Sequence, residues 1–79
     1  MAVIIELPVL SGFFGGQVSR VLVAVGDTVR VDTPLFELDC NTCTVELPSH
    51  LAGQVRQLLV GVGDTVEWGT PLLVVEPAE

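Results

Sequence analysis

The chain has 79 residues, of which 49% are hydrophobic, with a mean hydropathy of +0.66 and a formal charge of −7. This length predicts one small domain, residues 1–79, which needs an unusually apolar composition to be stable. The only basic side chains besides the single histidine are Arg20, Arg30 and Arg56, and this excludes nucleic acid as a partner because phosphates would not be neutralised. An acidic surface suits a basic protein partner, or it serves only to keep the domain in solution.

The N-terminal segment Met1–Glu6 lacks the basic region of a signal peptide, and its apolar run is short. No apolar stretch approaches the roughly 18 residues of a membrane span. We therefore expect a cytoplasmic protein without a membrane partner. In that compartment, two nearby cysteines are more often redox-active or metal-binding than a structural crosslink.

Two segments of the chain match at an offset of 37 residues. The first runs from Gly16 to Leu35 and the second from Gly53 to Leu72, and each contains Gly-Gln-Val, Leu-Val, Val-Gly-Asp-Thr-Val and Thr-Pro-Leu in that order. An open solenoid needs three or more repeats to bury its faces. Two units instead predict a closed object with pseudo-twofold symmetry, whose halves are residues 1–39 and 44–79.

Each half reads as short strands separated by Gly, Asp and Pro turns, and valine-rich segments without helical periodicity favour strands. The predicted strands are Val3–Leu7, Gln17–Val23, Thr28–Arg30, Leu35–Asp39, Thr44–Leu47, Gln54–Val60, Thr65–Glu67 and Leu72–Glu76. Eight such strands predict an all-β sandwich or flattened barrel of two sheets. Residues 77–79 resemble the start of a linker.

Cys40 and Cys43 are the only cysteines, and they flank Asn-Thr, a pair that favours a turn. We predict that they sit at the tip of a β-hairpin. The first and fourth residues of a β-turn have Cα atoms within about 7 Å, and a disulfide needs roughly 4.4–6.8 Å. A Cys40–Cys43 bridge is therefore within reach.

Two other interpretations of the cysteines remain open. Strand alternation places both on the face of Phe36 and Leu47, where cysteine can act as a small core hydrophobe. A metal site needs further ligands, and only His50 and carboxylates are near, although a two-coordinate soft metal such as Cu(I) fits two thiolates. Acidic neighbours disfavour thiolate, so we expect thiol pKa values at or above about 8.5.

The repeat, together with Glu46-Leu47-Pro48-Ser49 after the hairpin, resembles the biotinyl/lipoyl carrier domains over Ile4–Glu76. It is most similar to the lipoyl domain of the acyltransferase component of 2-oxoacid dehydrogenase complexes. The resemblance implies a flattened barrel of two four-stranded antiparallel sheets with pseudo-twofold symmetry. It also implies an exposed hairpin on which a lysine carries the cofactor.

At that lysine position this sequence has Thr42, with Asn41 and Cys43 on either side. The resemblance therefore implies a carrier domain without a covalently attached cofactor. Our hypothesis is that Cys40 and Cys43 form a redox-active dithiol that replaces lipoamide. The expected partner is an FAD-dependent disulfide reductase of the dihydrolipoamide dehydrogenase kind, or another 2-oxoacid dehydrogenase component, and the domain alone is not expected to be an enzyme. The alternatives are a structural or docking domain that has lost its carrier site, and a Cys-x-x-Cys metal-binding module.

Four further residues could contribute to the site. His50, the only histidine, is expected in a turn near the base of the hairpin, solvated or available as a base for the thiols. Phe13 and Phe14 lie in a glycine-rich loop, where they either dock a partner or close the end of the barrel. Trp68 is expected to be partly buried in a turn.

Overall fold

The computed structural model describes residues 1–78 and places eight β-strands and no helix among them. The strands are β1 (Val3–Glu6), β2 (Gly15–Val21), β3 (Thr28–Val29), β4 (Pro34–Asp39), β5 (Thr44–Pro48), β6 (Gly53–Leu58), β7 (Thr65–Glu67) and β8 (Pro71–Pro77). They form two four-stranded antiparallel sheets, ordered β1-β8-β6-β3 and β5-β4-β2-β7. The all-β prediction is confirmed, and residues 1–78 contain no helix of the length and hydropathy that crossing a membrane requires.

The internal repeat relates the two sheets to each other. It equates β1 with β5, β2 with β6, β3 with β7 and β4 with β8, so the strand order of one sheet converts into that of the other. Main-chain hydrogen bonds follow the same symmetry: the Val18 amide donates to the Asp64 carbonyl (2.9 Å), and the Val55 amide donates to the Asp27 carbonyl (2.8 Å). Each half thus closes on the other, which confirms the predicted pseudo-twofold barrel.

The Gly-Asp pair of each repeat builds a turn. Gly26 and Gly63 have φ angles of 97° and 91°, a left-handed region that glycine enters without a Cβ clash. Asp27 Oδ2 accepts a hydrogen bond from the Ala24 amide, and Asp64 Oδ2 accepts one from the Gly61 amide, both at 2.8 Å. The most recognisable residues of the repeat are therefore structural.

Apolar side chains from both sheets meet in one core. Its buried members are Ile5, Leu7, Phe13, Val18, Val29, Leu35, Phe36, Leu38, Leu47, Val55, Val66, Leu72, Leu73 and Val75. Leu35 and Phe36 are adjacent and both buried, which strict alternation in a strand would not allow. The register of β4 against β5 shifts between Pro34 and Phe36, and this irregularity turns both side chains inward.

The observed bounds of β2 and β6 lie nearer the N-terminus than predicted, at Gly15–Val21 and Gly53–Leu58. Their first residues include Gly16 and Gly53, which lie just before the predicted strands. Neither residue has a side chain, and each packs against the main chain of a neighbouring strand, at Asp39 and Glu76 respectively. Glycine inside a strand commonly marks such a close approach.

Candidate functional site

The β4–β5 hairpin carries both cysteines at its tip. The two strands stay paired up to Asp39 and Thr44, and the Cys40 amide donates to the Cys43 carbonyl at 2.9 Å across the turn. The Cα atoms of Cys40 and Cys43 are 5.1 Å apart, and the two residues form a disulfide. The hairpin and its bridging distance are as predicted.

The two cysteines are half-buried and pack against the core without belonging to its fully buried set. The prediction that they lie on the core face, with Leu38 and Leu47, is thus confirmed, but they are neither free nor enclosed. The disulfide therefore packs against the apolar core and keeps part of its surface exposed.

Two hollows in the surface meet at this disulfide. The larger, of about 720 Å³, is lined by Gly12, Phe14, Gly15, Gly16, Gln17, Asp39, Cys40, Asn41, Thr42 and Thr65. The smaller, of about 460 Å³, is lined by Asp39, Cys40, Asn41, Thr42, Cys43 and Thr44. Cys40 therefore borders both hollows, whereas Cys43 borders only the smaller one.

Carboxylates dominate the charge around the site. Asp39 borders both hollows, and its Oδ1 accepts a hydrogen bond from Thr44 Oγ1 at 3.0 Å. Glu46 and Glu67 are exposed on strands of the same sheet. Within residues 1–78, the ion pairs lie instead on the other sheet, where Glu76 meets the N-terminal ammonium (2.5 Å) and Arg56 (3.9 Å). The disulfide therefore lies in a negative environment.

Phe14 lines the larger hollow and forms an aromatic pair with Trp68. Phe13 is buried (1% exposed) and Phe14 is 76% exposed. Phe13 therefore belongs to the core, whereas Phe14 is available for contact with a partner. The rings of Phe14 and Trp68 lie 5.4 Å apart, and Trp68 Nε1 donates to the Phe13 carbonyl at 2.6 Å. Trp68 is 39% exposed, in keeping with the partial burial predicted.

Trp68 was not predicted to lie on the same side of the fold as the cysteines. This placement comes from the pairing of β2 with β7, which aligns Gly15 with Glu67 and brings the next residue, Trp68, beside Phe14. The repeat relates this pairing to another one, because it makes β7 the counterpart of β3 and β2 that of β6, but it does not by itself predict which strands pair. The observed β3–β6 pair is the image of the β2–β7 pair.

His50 is exposed at the base of the hairpin, as predicted, and this separates it from the thiols. The five residues of β5 intervene, roughly 16 Å at the rise of a strand. It borders a separate groove lined by Ile5, Glu6, Pro8, Leu10, Leu47 and Pro48. His50 therefore does not act as a base for the cysteines. No group of three or more His, Cys, Asp or Glu side chains that could hold a metal ion occurs among residues 1–78.

Comparison with known families identifies the scaffold. The biotin/lipoyl family model, described as "Biotin-requiring enzyme", matches residues 4–75. The chain belongs to this biotin/lipoyl family. Domains of this family carry a group between the members of multi-enzyme complexes and are not catalytic themselves.

Solved structures show the same fold as this biotin/lipoyl domain. A single-chain, multi-domain long-chain acyl-CoA carboxylase matches 99% of the chain with TM-score 0.82 and 22% identity, and the Kluyveromyces lactis urea carboxylase matches 96% with TM-score 0.80 and 21% identity. The domain spans only 7% and 6% of those two chains. The lipoyl domain of the 2-oxoglutarate dehydrogenase complex from Azotobacter vinelandii is matched over its full length, covering 96% of this chain with TM-score 0.70 and 19% identity. No curated protein sequence matches the chain.

The hairpin of this biotin/lipoyl domain does not fit the cofactors that the family name implies. Thr42 stands between the cysteines where the resemblance places the attachment lysine, and the chain contains no lysine at any position. A hydroxyl group in place of a lysine amine offers no nitrogen for an amide bond to biotin or lipoic acid. What the tip does offer is the Cys40–Cys43 disulfide.

Proposed function

We propose that this biotin/lipoyl domain carries electron pairs on Cys40 and Cys43, which replace the dithiol of a lipoyl group. The observation that carries the proposal is the Cys40–Cys43 disulfide at the tip of the hairpin, on either side of Thr42, which the resemblance aligns with the attachment lysine. The domain has no covalently attached cofactor in this proposal. It works in the cytoplasm, where disulfides in mesophiles are rare and are mostly transient and catalytic or redox-sensing.

The chemistry balances as a two-electron couple. Reduction breaks the Cys40–Cys43 bond, and two electrons and two protons yield two thiols; oxidation reverses both transfers. The Cys40 N–H to Cys43 C=O hydrogen bond and the strand pairs behind it hold the sulfurs near one another in either state. The partner is an FAD-dependent disulfide reductase of the dihydrolipoamide dehydrogenase kind, within a complex of the 2-oxoacid dehydrogenase type.

Two cysteines on a short turn reach far less than a lipoyl-lysine arm. The hairpin must therefore approach an exposed redox site, or enter the partner itself. Exchange of electrons between sulfur atoms suits this short reach, whereas delivery of an acyl group into a deep channel does not.

The reduction potential is the first test. The domain is equilibrated in graded dithiothreitol or glutathione buffers, alkylated, and analysed by mass spectrometry for the fraction of oxidised Cys40–Cys43. We expect a reversible couple near thioredoxin, roughly −270 mV, and above the roughly −300 mV below which structural disulfides usually lie. A bond that stays closed throughout this range would show a structural crosslink and remove the carrier function.

The partner is tested by NADH oxidation. Purified dihydrolipoamide dehydrogenase and NADH are mixed with the oxidised domain, and absorbance at the NADH band is followed against domain concentration. We expect one NADH consumed per domain, and none for the Cys40→Ser/Cys43→Ser double variant. Equal consumption with the double variant would mean that the electrons go elsewhere.

A docking domain is the second candidate, and the exposed Phe14–Trp68 pair next to the hairpin favours it. The same double variant separates the two functions. If the parent complex keeps full activity with Cys40→Ser/Cys43→Ser and loses it with Phe14→Ala, the domain docks and does not carry electrons.

A further inference from the structure

We propose that electrons enter this disulfide at Cys40, and that the larger hollow seats the attacking thiolate of the partner while Cys43 leaves. This inference rests on the proposed carrier function. It adds the order in which the disulfide bonds exchange and the site at which the partner binds. The two cysteines are not equivalent, because only Cys40 borders the hollow that contains Phe14, Gln17 and Thr65.

The order of strands explains this difference. Cys43 leads into β5, the outermost strand of its sheet, and Cys40 directly follows β4, whose other neighbour is β2. A thiolate attacks a disulfide sulfur along the S–S axis, from the side opposite the leaving sulfur. An attack on Cys40 therefore comes from the β2 side of β4. An attack on Cys43 comes from the open edge beyond β5.

The β2 side of β4 is where the larger hollow lies. Gly12, Gly15 and Gly16 supply part of its wall without side chains, and Phe14 supplies an exposed aromatic face. On the open edge beyond β5, no neighbouring strand would hold an attacking group. The fold thus provides a pocket on the side from which a thiolate would attack Cys40.

The carboxylates around the larger hollow determine which charge a bound group should carry. Asp39 borders the hollow, and Glu67 pairs in register with Gly15 at its wall. A thiolate that enters this field needs a positive neighbour to offset the repulsion. The aromatic face of Phe14, which lines the hollow, also attracts cations. We therefore assign the hollow to a cysteine thiolate of a protein partner that carries arginine or lysine beside it.

The exchange proceeds in two steps. The partner's thiolate forms a bond to Cys40 Sγ, the Cys40–Cys43 bond breaks, and the electron pair leaves on Cys43 Sγ, which takes a proton from water. A second thiolate of the partner then attacks the partner's own sulfur in this mixed disulfide and releases Cys40 as a thiolate, which is protonated in turn. The partner dithiol has lost two electrons, and the domain has gained them.

The position of the mixed disulfide tests the order. The oxidised chain is mixed with cysteamine for short times and quenched with N-ethylmaleimide, and the tryptic peptide 31–56, which holds both cysteines because the chain has no lysine, is sequenced by tandem mass spectrometry. We expect cysteamine on Cys40 and maleimide on Cys43, exceeding the reverse product by about tenfold at the earliest times. Equal amounts of the two products, or an excess on Cys43, would overturn the inference.

A blocked hollow provides the second measurement. Gln17→Trp fills the hollow from an exposed position of β2, and the matched control Gln57→Trp makes the same change at an exposed position of β6 in the other sheet. We expect Gln17→Trp to slow reduction by cysteamine about tenfold and Gln57→Trp to leave the rate unchanged. Unfolding curves of both variants check that the fold survives. Equal rates of reduction for two folded variants would contradict the proposal that the attacking thiolate binds in the larger hollow.

Different results would overturn the carrier function and the order of attack. A reversible couple with the adduct on Cys43 removes the order of attack and leaves the carrier function standing. An adduct on Cys40 without a reversible couple removes the carrier function and leaves the order of attack. If no adduct forms while a solvent-exposed reference disulfide exchanges under the same conditions, both proposals fall.

Discussion

At the scale of single residues, Gly16 and Gly53 set the distance between strands. They are equivalent in the repeat, and a Cβ added to either would collide with a carbonyl oxygen, that of Asp39 or of Glu76. Neither carbonyl can move freely, because both belong to paired strands. Gly16 also lies beside the hollow next to Cys40, so the same close approach shapes the site.

Replacing either glycine with alanine should therefore destabilise the domain. We expect Gly16→Ala and Gly53→Ala each to lower the free energy of unfolding by about 1–3 kcal/mol, the usual cost of overpacking. Gly61→Ala is the matched control, since nothing lies within 4 Å of its added Cβ and its φ is not positive. That variant should be neutral or more stable by about 0.4–1 kcal/mol. Urea denaturation of the oxidised proteins decides, and three equal midpoints would contradict the role of close approach.

Glu76 provides a pH-dependent contribution to stability. The hydrogen bond from the N-terminal ammonium, aided by Arg56, lowers the pKa of Glu76 from its ordinary value of 4.5. A carboxylate whose folded pKa is depressed stabilises the fold above its unfolded pKa, and this stability is lost as pH falls through the folded pKa. The effect is modest because the pair is largely exposed.

Glu76→Gln should consequently lower the thermal midpoint near neutral pH, with the difference from the parent shrinking as pH falls below 4.5. Melting curves recorded across this range measure it. Glu46→Gln is the control, since Glu46 has no ion pair in the part of the chain that the structure describes, and it should not lower the neutral-pH midpoint. A difference between Glu76→Gln and the parent that persists into strong acid would show that the carboxylate charge is not the cause.

At the scale of elements, we expect that the hairpin can be reduced without loss of the barrel. The cysteines only pack against the core, and the strand pairs of β4 with β5 extend from Asp39 back to Pro34. The bridge joins residues three apart, so it constrains little of the unfolded chain. A carrier that cycles needs this independence of fold and oxidation state.

Reduction is accordingly expected to cost about 2 kcal/mol at most, the chain-entropy value for a loop of about four residues. Urea unfolding of the same protein with and without dithiothreitol measures the cost. The Cys40→Ser/Cys43→Ser variant should show no response to dithiothreitol. Unfolding of the parent on reduction alone would contradict the separation of fold from redox state.

Most elements could be predicted because their causes are local. The Gly-Asp pairs fix their turns with aspartate side chains three residues away, and Asn-Thr between two cysteines gives a bridged turn. The neighbours of the site are not local: Phe14 meets Trp68, more than fifty residues further on, through the pairing of β2 with β7. The different fates of Phe13 and Phe14 were also hidden, since no strand alternation applies in a loop that turns at Gly12 with φ 80°.

At the scale of the whole molecule, charge is divided between the two sheets. The formal charge of −7 is partly compensated on the sheet of β1, β8, β6 and β3, where Glu76 has two cationic neighbours. The sheet that carries the disulfide presents three carboxylates to solvent, those of Asp39, Glu46 and Glu67, against one exposed arginine, Arg20 on β2. A field of this kind steers cationic partners towards the hairpin and repels anionic ones, and salt screens it.

The salt dependence of reduction by small thiols measures this field directly. Mercaptoacetate attacks as a thiolate with an added carboxylate, 2-mercaptoethanol as a thiolate alone, and cysteamine as a thiolate balanced by its ammonium. Salt shortens the screening length from roughly 30 Å at 0.01 M to roughly 10 Å at 0.1 M. We expect this change to accelerate reduction most for mercaptoacetate, less for 2-mercaptoethanol and least for cysteamine.

Asp39→Asn should flatten these salt slopes, since it removes the carboxylate that borders both hollows. Glu6→Gln removes the same charge from β1 in the other sheet and should leave the slopes nearly unchanged. If the three thiols share one salt slope, the acidic face does not act at the disulfide. A partner would then be selected by the shape of the hollow beside Cys40, and Gln17→Trp would affect all three thiols equally.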